Sequence, residues 1–243
     1  KELDDWGFDV WQEPEQKSSE RSSEEQQEEE SEEDIEKADF YDMMLGDRVY
    51  DSNNDFDIPN LRADEQPVSG LVIPLSAWGA DTRQKKGIST YHFYVDDYRF
   101  EAIWKDPTTV LNSGCEAVIE PNLSLFDTTP IAYGLHQIYK KRWISRYWQE
   151  CGVKVWADLN VAKKFQKWNR LGIPDGHNAF ATRGYSDRQE YLKEEIQIAR
   201  EISGKDIPNM IVYGGGDKIK DICVQNSIIY VEQFMDNRIK KGD

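Results

Sequence analysis

From Pro67 onward the apolar positions fall into two textures: short runs bounded by turn residues, and longer stretches in which they recur every three or four places. The short runs read as strands and the amphipathic stretches as helices. Residues 69–76 (SGLVIPLS) and 89–95 (STYHFYV) are expected to be strands, and 98–114 to hold a short helix broken near Pro107. A regular rhythm follows: strand 116–121 (EAVIEP), helix 130–152, strand 153–159, helix 162–172 and strand 178–184. It continues with helix 188–204, strand 209–216, helix 217–226 and strand 227–234. Helix 130–152 has Pro130 at its start and Gly152 at its end, the asymmetry that helix termini favour. In helix 188–204, Ile196, Ala199 and Ile202 share one face, and Ser186 or Asp187 is the expected cap.

Strand–helix alternation with short connections predicts an α/β fold of parallel strands joined by right-handed crossovers. Five such units after two less regular strands suggest a (β/α) barrel, complete or incomplete. An open doubly wound parallel sheet is the alternative. Both place ligands at the carboxyl ends of the strands, so the site is expected there in either case.

The first 66 residues have a different texture. Residues 12–39 are low in complexity, dense in glutamate and poor in apolar side chains, so a disordered tail is expected. Two aromatic motifs flank it, Trp6–Trp11 (WGFDVW) and Phe40–Gly46 (FYDMMLG), and acidic segments of this kind suit docking on a protein partner or back on their own domain. Residues 47–66 read as a polar linker. The expected organisation is an acidic region over 1–66 and a single α/β domain over 67–243.

Charge sharpens that division. Positions 1–66 carry 24 acidic and 6 basic residues, a net of −18; the other 22 acidic and 24 basic residues leave the remainder at +2. The overall −16 is therefore a property of the tail and says nothing about the partners of the domain. Three scattered cysteines, Cys115, Cys151 and Cys223, argue against a disulfide framework and suit a reducing compartment. The three histidines have no ligand spacing, which argues against zinc. No apolar run is long enough to span a bilayer, so no membrane role and a cytoplasmic location are expected.

Candidate chemistry lies at the strand ends. Glu120, Asn122 and Ser124 follow one strand, Asp158 and Asn160 the next, Arg183 the third, and Gly214, Gly215, Gly216 and Lys218 the fourth. Glu120 and Asp158 form a carboxylate pair suited to general acid–base work or to Mg²⁺, with Arg183 as a charge clamp. An ordinary Asp158–Arg183 ion pair accounts equally well for two of these residues. The three glycines entering a helix, with Lys218 beside them, suit a phosphate cradle, although Asp217 opposes an anion there and a plain turn explains them as well. A small phosphorylated or nucleotide-like ligand is the expected partner of such a mouth.

A second reading uses residues 140–170, where nine basic side chains stand against two acidic ones with tryptophans interleaved. Lys140, Lys141, Arg142, Arg146, Lys163 and Lys164 would then form a nucleic-acid or protein-binding face, modulated by the acidic tail.

Four segments, FEAIWKDP, the strand end EPNLSL, YKKRWISRYWQECGVKVWADLNV and GIPDGHNAFATRG, occur in an order that resembles the domain-of-unknown-function family DUF4417 of bacteria and phages. The resemblance covers roughly residues 68–232. It implies a phage or mobile-element setting and a bacterial cytoplasm, and it supplies no activity. In that family the first strand end typically reads Ser-Pro-Asp-Phe-Ser, whereas this chain has Glu120-Pro121-Asn122. The substitution asks whether Glu120 replaces the family's acid or Asn122 marks a site without one.

Overall fold

The computed structural model describes residues 43–67, 75–79 and 90–233. The expectations for the acidic tail, for its aromatic motifs up to residue 42 and for the first part of strand 69–76 lie outside these residues. Among the described residues seven strands form one parallel sheet: β1 (Leu75–Ala77), β2 (Thr90–His92), β3 (Ala117–Ile119), β4 (Lys154–Asp158), β5 (Phe180–Arg183), β6 (Met210–Tyr213) and β7 (Ile229–Val231). Their spatial order is their sequence order, and the sheet curls into a half-barrel. A doubly wound sheet reverses its order at a switch point; this one does not. The incomplete barrel is the fold.

Between the strands run α1 (Ala102–Lys105), α2 (Thr108–Leu111), α3 (Ile131–Glu150), α4 (Gln166–Asn169), α5 (Gln189–Ser203) and α6 (Asp217–Gln225). Pro107 separates α1 from α2, because its ring cannot continue the first helix. Alternation along each strand sorts side chains to two faces. Ala117, Ile119, Trp156, Ala181 and Ile211 pack only with other strand and loop residues, which places them on the concave face. Val118 and Val155 pack with Trp143, Ile144 and Trp148 of α3, and Phe180 and Val212 with Ile196, Ala199 and Ile219 of α5 and α6. Those residues form the convex, helix-covered face.

Residues 50–66, read from sequence as a polar linker, are packed against the domain. Tyr50, Ile58 and Leu61 are buried, and Trp143 donates its Nε1–H to the Arg48 carbonyl at 3.0 Å. Gln149 of α3 accepts the Arg62 N–H at 2.7 Å and donates to the Arg62 and Glu65 carbonyls. This strap covers the side of α3 that would otherwise face water. Most of the helix's second half is consequently buried, from Lys141 to Gln149 with only Arg146 partly open.

Candidate functional site

Asp158 ends β4 with no solvent exposure and is held from four sides. Tyr94 donates its hydroxyl to Oδ1 at 2.9 Å, and the Asn160 N–H reaches the same oxygen at 3.2 Å. Asn122 Nδ2 reaches Oδ2 at 3.1 Å, and Lys141 Nζ lies 3.3 Å from it. Burial raises the Asp158 pKa, opposed by the Lys141 charge and by the Asn122 hydrogen bond. A carboxylate so enclosed organises the strand ends and has no face left for a substrate.

The expected Asp158–Arg183 pair is absent, because Lys141 takes that place. Its neighbour Arg142 forms a fully buried ion pair with Glu120, whose Oε2 also accepts the Asp158 N–H at 2.9 Å. Arg142 further donates to the carbonyls of Leu171 at 3.1 Å and Asn169 at 2.6 Å. Glu120 has the strand parity of Val118, so it faces the helices and not the concave side. The carboxylate pair therefore does not confront a ligand across the mouth.

Asn122 explains its own identity. Its amide donates to Asp158 and, at 2.7 Å, to the Asn160 carbonyl, while its oxygen accepts from Asn160 Nδ2 at 3.2 Å. An aspartate here would set a second carboxylate against Asp158. In this chain the residue is a hydrogen-bond bridge between the β3 and β4 loops.

Above this platform opens a cavity of about 200 Å³. Asn122 to Phe126 from the β3 loop and Asn160 to Ala162 from the β4 loop form one side. Arg183, Tyr185 and the first turns of α5, with Arg188, Tyr191, Leu192 and Glu195, form the other. Both guanidinium groups lie against the Tyr185 ring, Arg183 at 5.4 Å and Arg188 at 5.0 Å from its centroid. Among the described residues neither arginine forms an ion pair, whereas Arg48, Arg142 and Arg170 each find a carboxylate.

Helix α5 enters this wall without the expected cap. Arg188, not Ser186 or Asp187, holds the cap position, and no side chain bonds the first amides. The positive end of a 15-residue helix thus borders the cavity.

At its floor lies Glu195, 4% exposed, which accepts the Thr182 hydroxyl at 2.8 Å. No cation among the described residues pairs with it. Burial first, and the nearby Asp158 charge after it, push its carboxyl well above the usual range, against the opposing Thr182 hydrogen bond.

Of the sequence candidates, the cavity gathers Asn122, Ser124, Asn160 and Arg183. It leaves out Glu120, Asp158, the glycines and Lys218. Gly214, Gly215 and Gly216 all have positive φ, and a Cβ on Gly215 would come within 2.7 Å of the Gly184 backbone. Close packing of the β5 and β6 loops accounts for that glycine. Arg188, Tyr185 and Glu195 were missed. Glu195 had a signal, since a glutamate stands with Leu192, Ile196, Ala199 and Ile202 on the apolar face of its helix.

The basic face needs correcting as well. Lys141 and Arg142 are buried in ion pairs behind the sheet and cannot touch a polyanion. Lys140 lies over Trp104, Arg146 pairs with Glu150, Lys163 pairs with Glu194, and Lys164 donates to the carbonyls of Asp127 and Thr129. Among the described residues no group of three His, Cys, Asp or Glu side chains is placed to hold a metal ion, and no helix is long and apolar enough to cross a membrane.

Comparison with known proteins adds context to this geometry. The chain is similar to the gene 1 protein of Mycobacterium phage L5, 32% identical over 121 residues, covering 47% of this chain and 51% of the relative. It is also similar to the gene 1 protein of Mycobacterium phage D29, 31% identical over 120 residues, covering 47% and 43%. The aligned part spans about half the length of these curated relatives. No solved structure matches the chain. The model of the domain-of-unknown-function family DUF4417 matches residues 50–229, a span that begins with the strap over α3 and ends in β7, and the chain belongs to that family.

Proposed function

We propose that this protein binds a small phosphorylated or nucleotide-like ligand in the cavity at the carboxyl ends of β3, β4 and β5, and that it acts on it there as an enzyme. One observation carries the reading: two guanidinium groups without carboxylate partners, Arg183 and Arg188, line one cavity together with the buried carboxyl of Glu195. Arginines normally find acceptors, and a bidentate fork without one suits a phosphate or carboxylate. The open amino end of α5 adds partial positive charge on the same side. Burial shifts the Glu195 carboxyl in the direction a general acid requires, and Tyr185, Asn160 and Ser124 supply further polar contacts. In this reading Asp158 and Glu120 keep the loops in place. The phage relatives suit the phage or mobile-element setting expected from sequence.

The test is calorimetric titration of the whole chain with inorganic phosphate, pyrophosphate and AMP, repeated on Arg183→Gln and Arg188→Gln. Each charge-assisted contact is worth about 1.5–3 kcal/mol, so each variant should bind roughly ten- to a hundredfold more weakly. Absence of binding to all three probes, or equal binding by both variants, would overturn the reading.

A further inference from the structure

We infer that the ligand is a nucleoside 5′-phosphate and that Phe126 is the stacking platform for its base; this rests on the anion-cavity reading above. Phe126 lines the cavity and yet is 66% exposed. Its loop is not loose. The Phe126 N–H donates to Thr129 Oγ1 at 3.0 Å, and the Thr129 N–H returns to the Phe126 carbonyl at 2.9 Å. Lys164 Nζ closes the turn from outside through the carbonyls of Asp127 and Thr129. Upstream, Asp97 accepts both the N–H and the hydroxyl of Ser124 at 3.1 and 3.0 Å. A loop pinned on both sides thus holds a large apolar ring in water at the edge of a cationic cavity, where folding alone would favour a polar residue.

Size points the same way. Pockets that enclose whole small ligands span about 300–1,000 Å³, and this cavity holds about 200 Å³. That suffices for a phosphate and part of a sugar, so a base attached to the sugar must project past the rim. Phe126 stands on that rim, and an aromatic face accepts any base by stacking without reading its edge. The ligand chemistry is therefore a phosphate for Arg183 and Arg188, a sugar for the polar wall, and a planar base for Phe126.

The experiment compares AMP with ribose 5-phosphate by calorimetry on the full chain, Phe126→Ala and Phe126→Trp. The unmodified protein should bind AMP about tenfold more tightly than ribose 5-phosphate. Phe126→Ala should lose that preference while keeping its affinity for ribose 5-phosphate, and Phe126→Trp should retain it. Equal binding of AMP and ribose 5-phosphate, or a preference that survives in Phe126→Ala, overturns the inference and leaves the anion cavity standing. Failure of both probes to bind overturns this inference, and failure of inorganic phosphate and pyrophosphate as well overturns the cavity reading with it. A 5′-phosphorylated tetranucleotide, set against its 5′-hydroxyl counterpart, identifies the source: phosphate-dependent binding of the strand marks a strand end, and binding of AMP alone marks a free nucleotide. Either result supports the recognition of a nucleoside 5′-phosphate.

Discussion

Arg142 on α3 and Glu120 at the end of β3 are 22 positions apart and form an ion pair to which solvent has no access on either side. Taking two charges out of water is costly, and the geometry recovers that cost only while both partners are present. Removing one leaves a buried charge uncompensated. Arg142→Met should therefore lower the unfolding free energy by about 3–5 kcal/mol in urea denaturation. The double variant Arg142→Met/Glu120→Gln should recover part of it, since a glutamine oxygen still accepts the Asp158 N–H. The recovery stays incomplete, because the Asn169 and Leu171 carbonyls have lost their donor. A double variant no more stable than Arg142→Met would show that the arginine matters only through those carbonyls.

That pair also shows where sequence reasoning reached and where it stopped. Strand–helix alternation was legible because short apolar runs and amphipathic stretches differ in period, and it led to a parallel α/β sheet while leaving the barrel and doubly wound strand orders both open. Pro130 and Gly152 bounded α3 for local reasons of backbone geometry. The inward direction of Lys141 and Arg142 was not legible, because their partners Asp158, Glu120, Asn169 and Leu171 are distant in sequence, and because residues 48–66 lie over other side chains of the same helix, Trp143 and Gln149. A barrel helix is ordinarily charged outside, and nothing local to α3 announces a second layer. Likewise Arg183 stood at its strand end as expected, but its lack of a partner follows from Lys141 reaching Asp158 first. Pairing among distant charges is a property of the assembled fold.

Glu195 makes stability depend on pH in a definite direction. Its carboxyl is raised well above the ordinary 4.5 in the folded chain, so above that pH the folded state holds a proton that the unfolded state has released. Stability is then lost as pH rises from about 4.5 toward the folded value, by about 1.4 kcal/mol per pH unit. Glu195→Gln removes the proton difference and keeps an acceptor for Thr182. The stability gap between Glu195→Gln and the unmodified chain should therefore shift in favour of the variant at this slope as pH rises. Parallel stability curves would show that Glu195 ionises normally.

The buried histidines act on the opposite limb. Burial pushes His92 down to about 3 and His177 down to about 4, from an ordinary 6.5. Below pH 6.5 the unfolded chain binds protons that the folded chain refuses, so stability falls as pH decreases through that window. Each histidine contributes about 1.4 kcal/mol per pH unit until its folded value is reached. His177 holds the Ala179 carbonyl through Nε2 at 2.9 Å, a contact that glutamine can imitate. His177→Gln should cost a constant amount in packing and flatten the acid limb between pH 6.5 and about 4. Denaturation midpoints collected across that range would sink the argument if the slope stayed the same.

The glycines after β6 separate a structural role from a ligand role. Gly215 and Gly216 both have positive φ, at 99° and 76°, which strains any other residue by about 1–3 kcal/mol. Their surroundings differ: a Cβ on Gly216 meets nothing within 4 Å, whereas one on Gly215 would come 2.7 Å from both the Gly184 carbonyl carbon and the Ile219 side chain. Backbone cannot yield there without moving the β5 loop that carries Tyr185. Gly216→Ala should therefore cost only the strain, and Gly215→Ala about 1–3 kcal/mol more for overpacking. Because neither residue lines the cavity, Gly216→Ala should bind phosphate and AMP as the unmodified chain does. Should Gly216→Ala instead stay folded and lose phosphate affinity tenfold or more, the glycines would be the cradle and the arginine cavity would not.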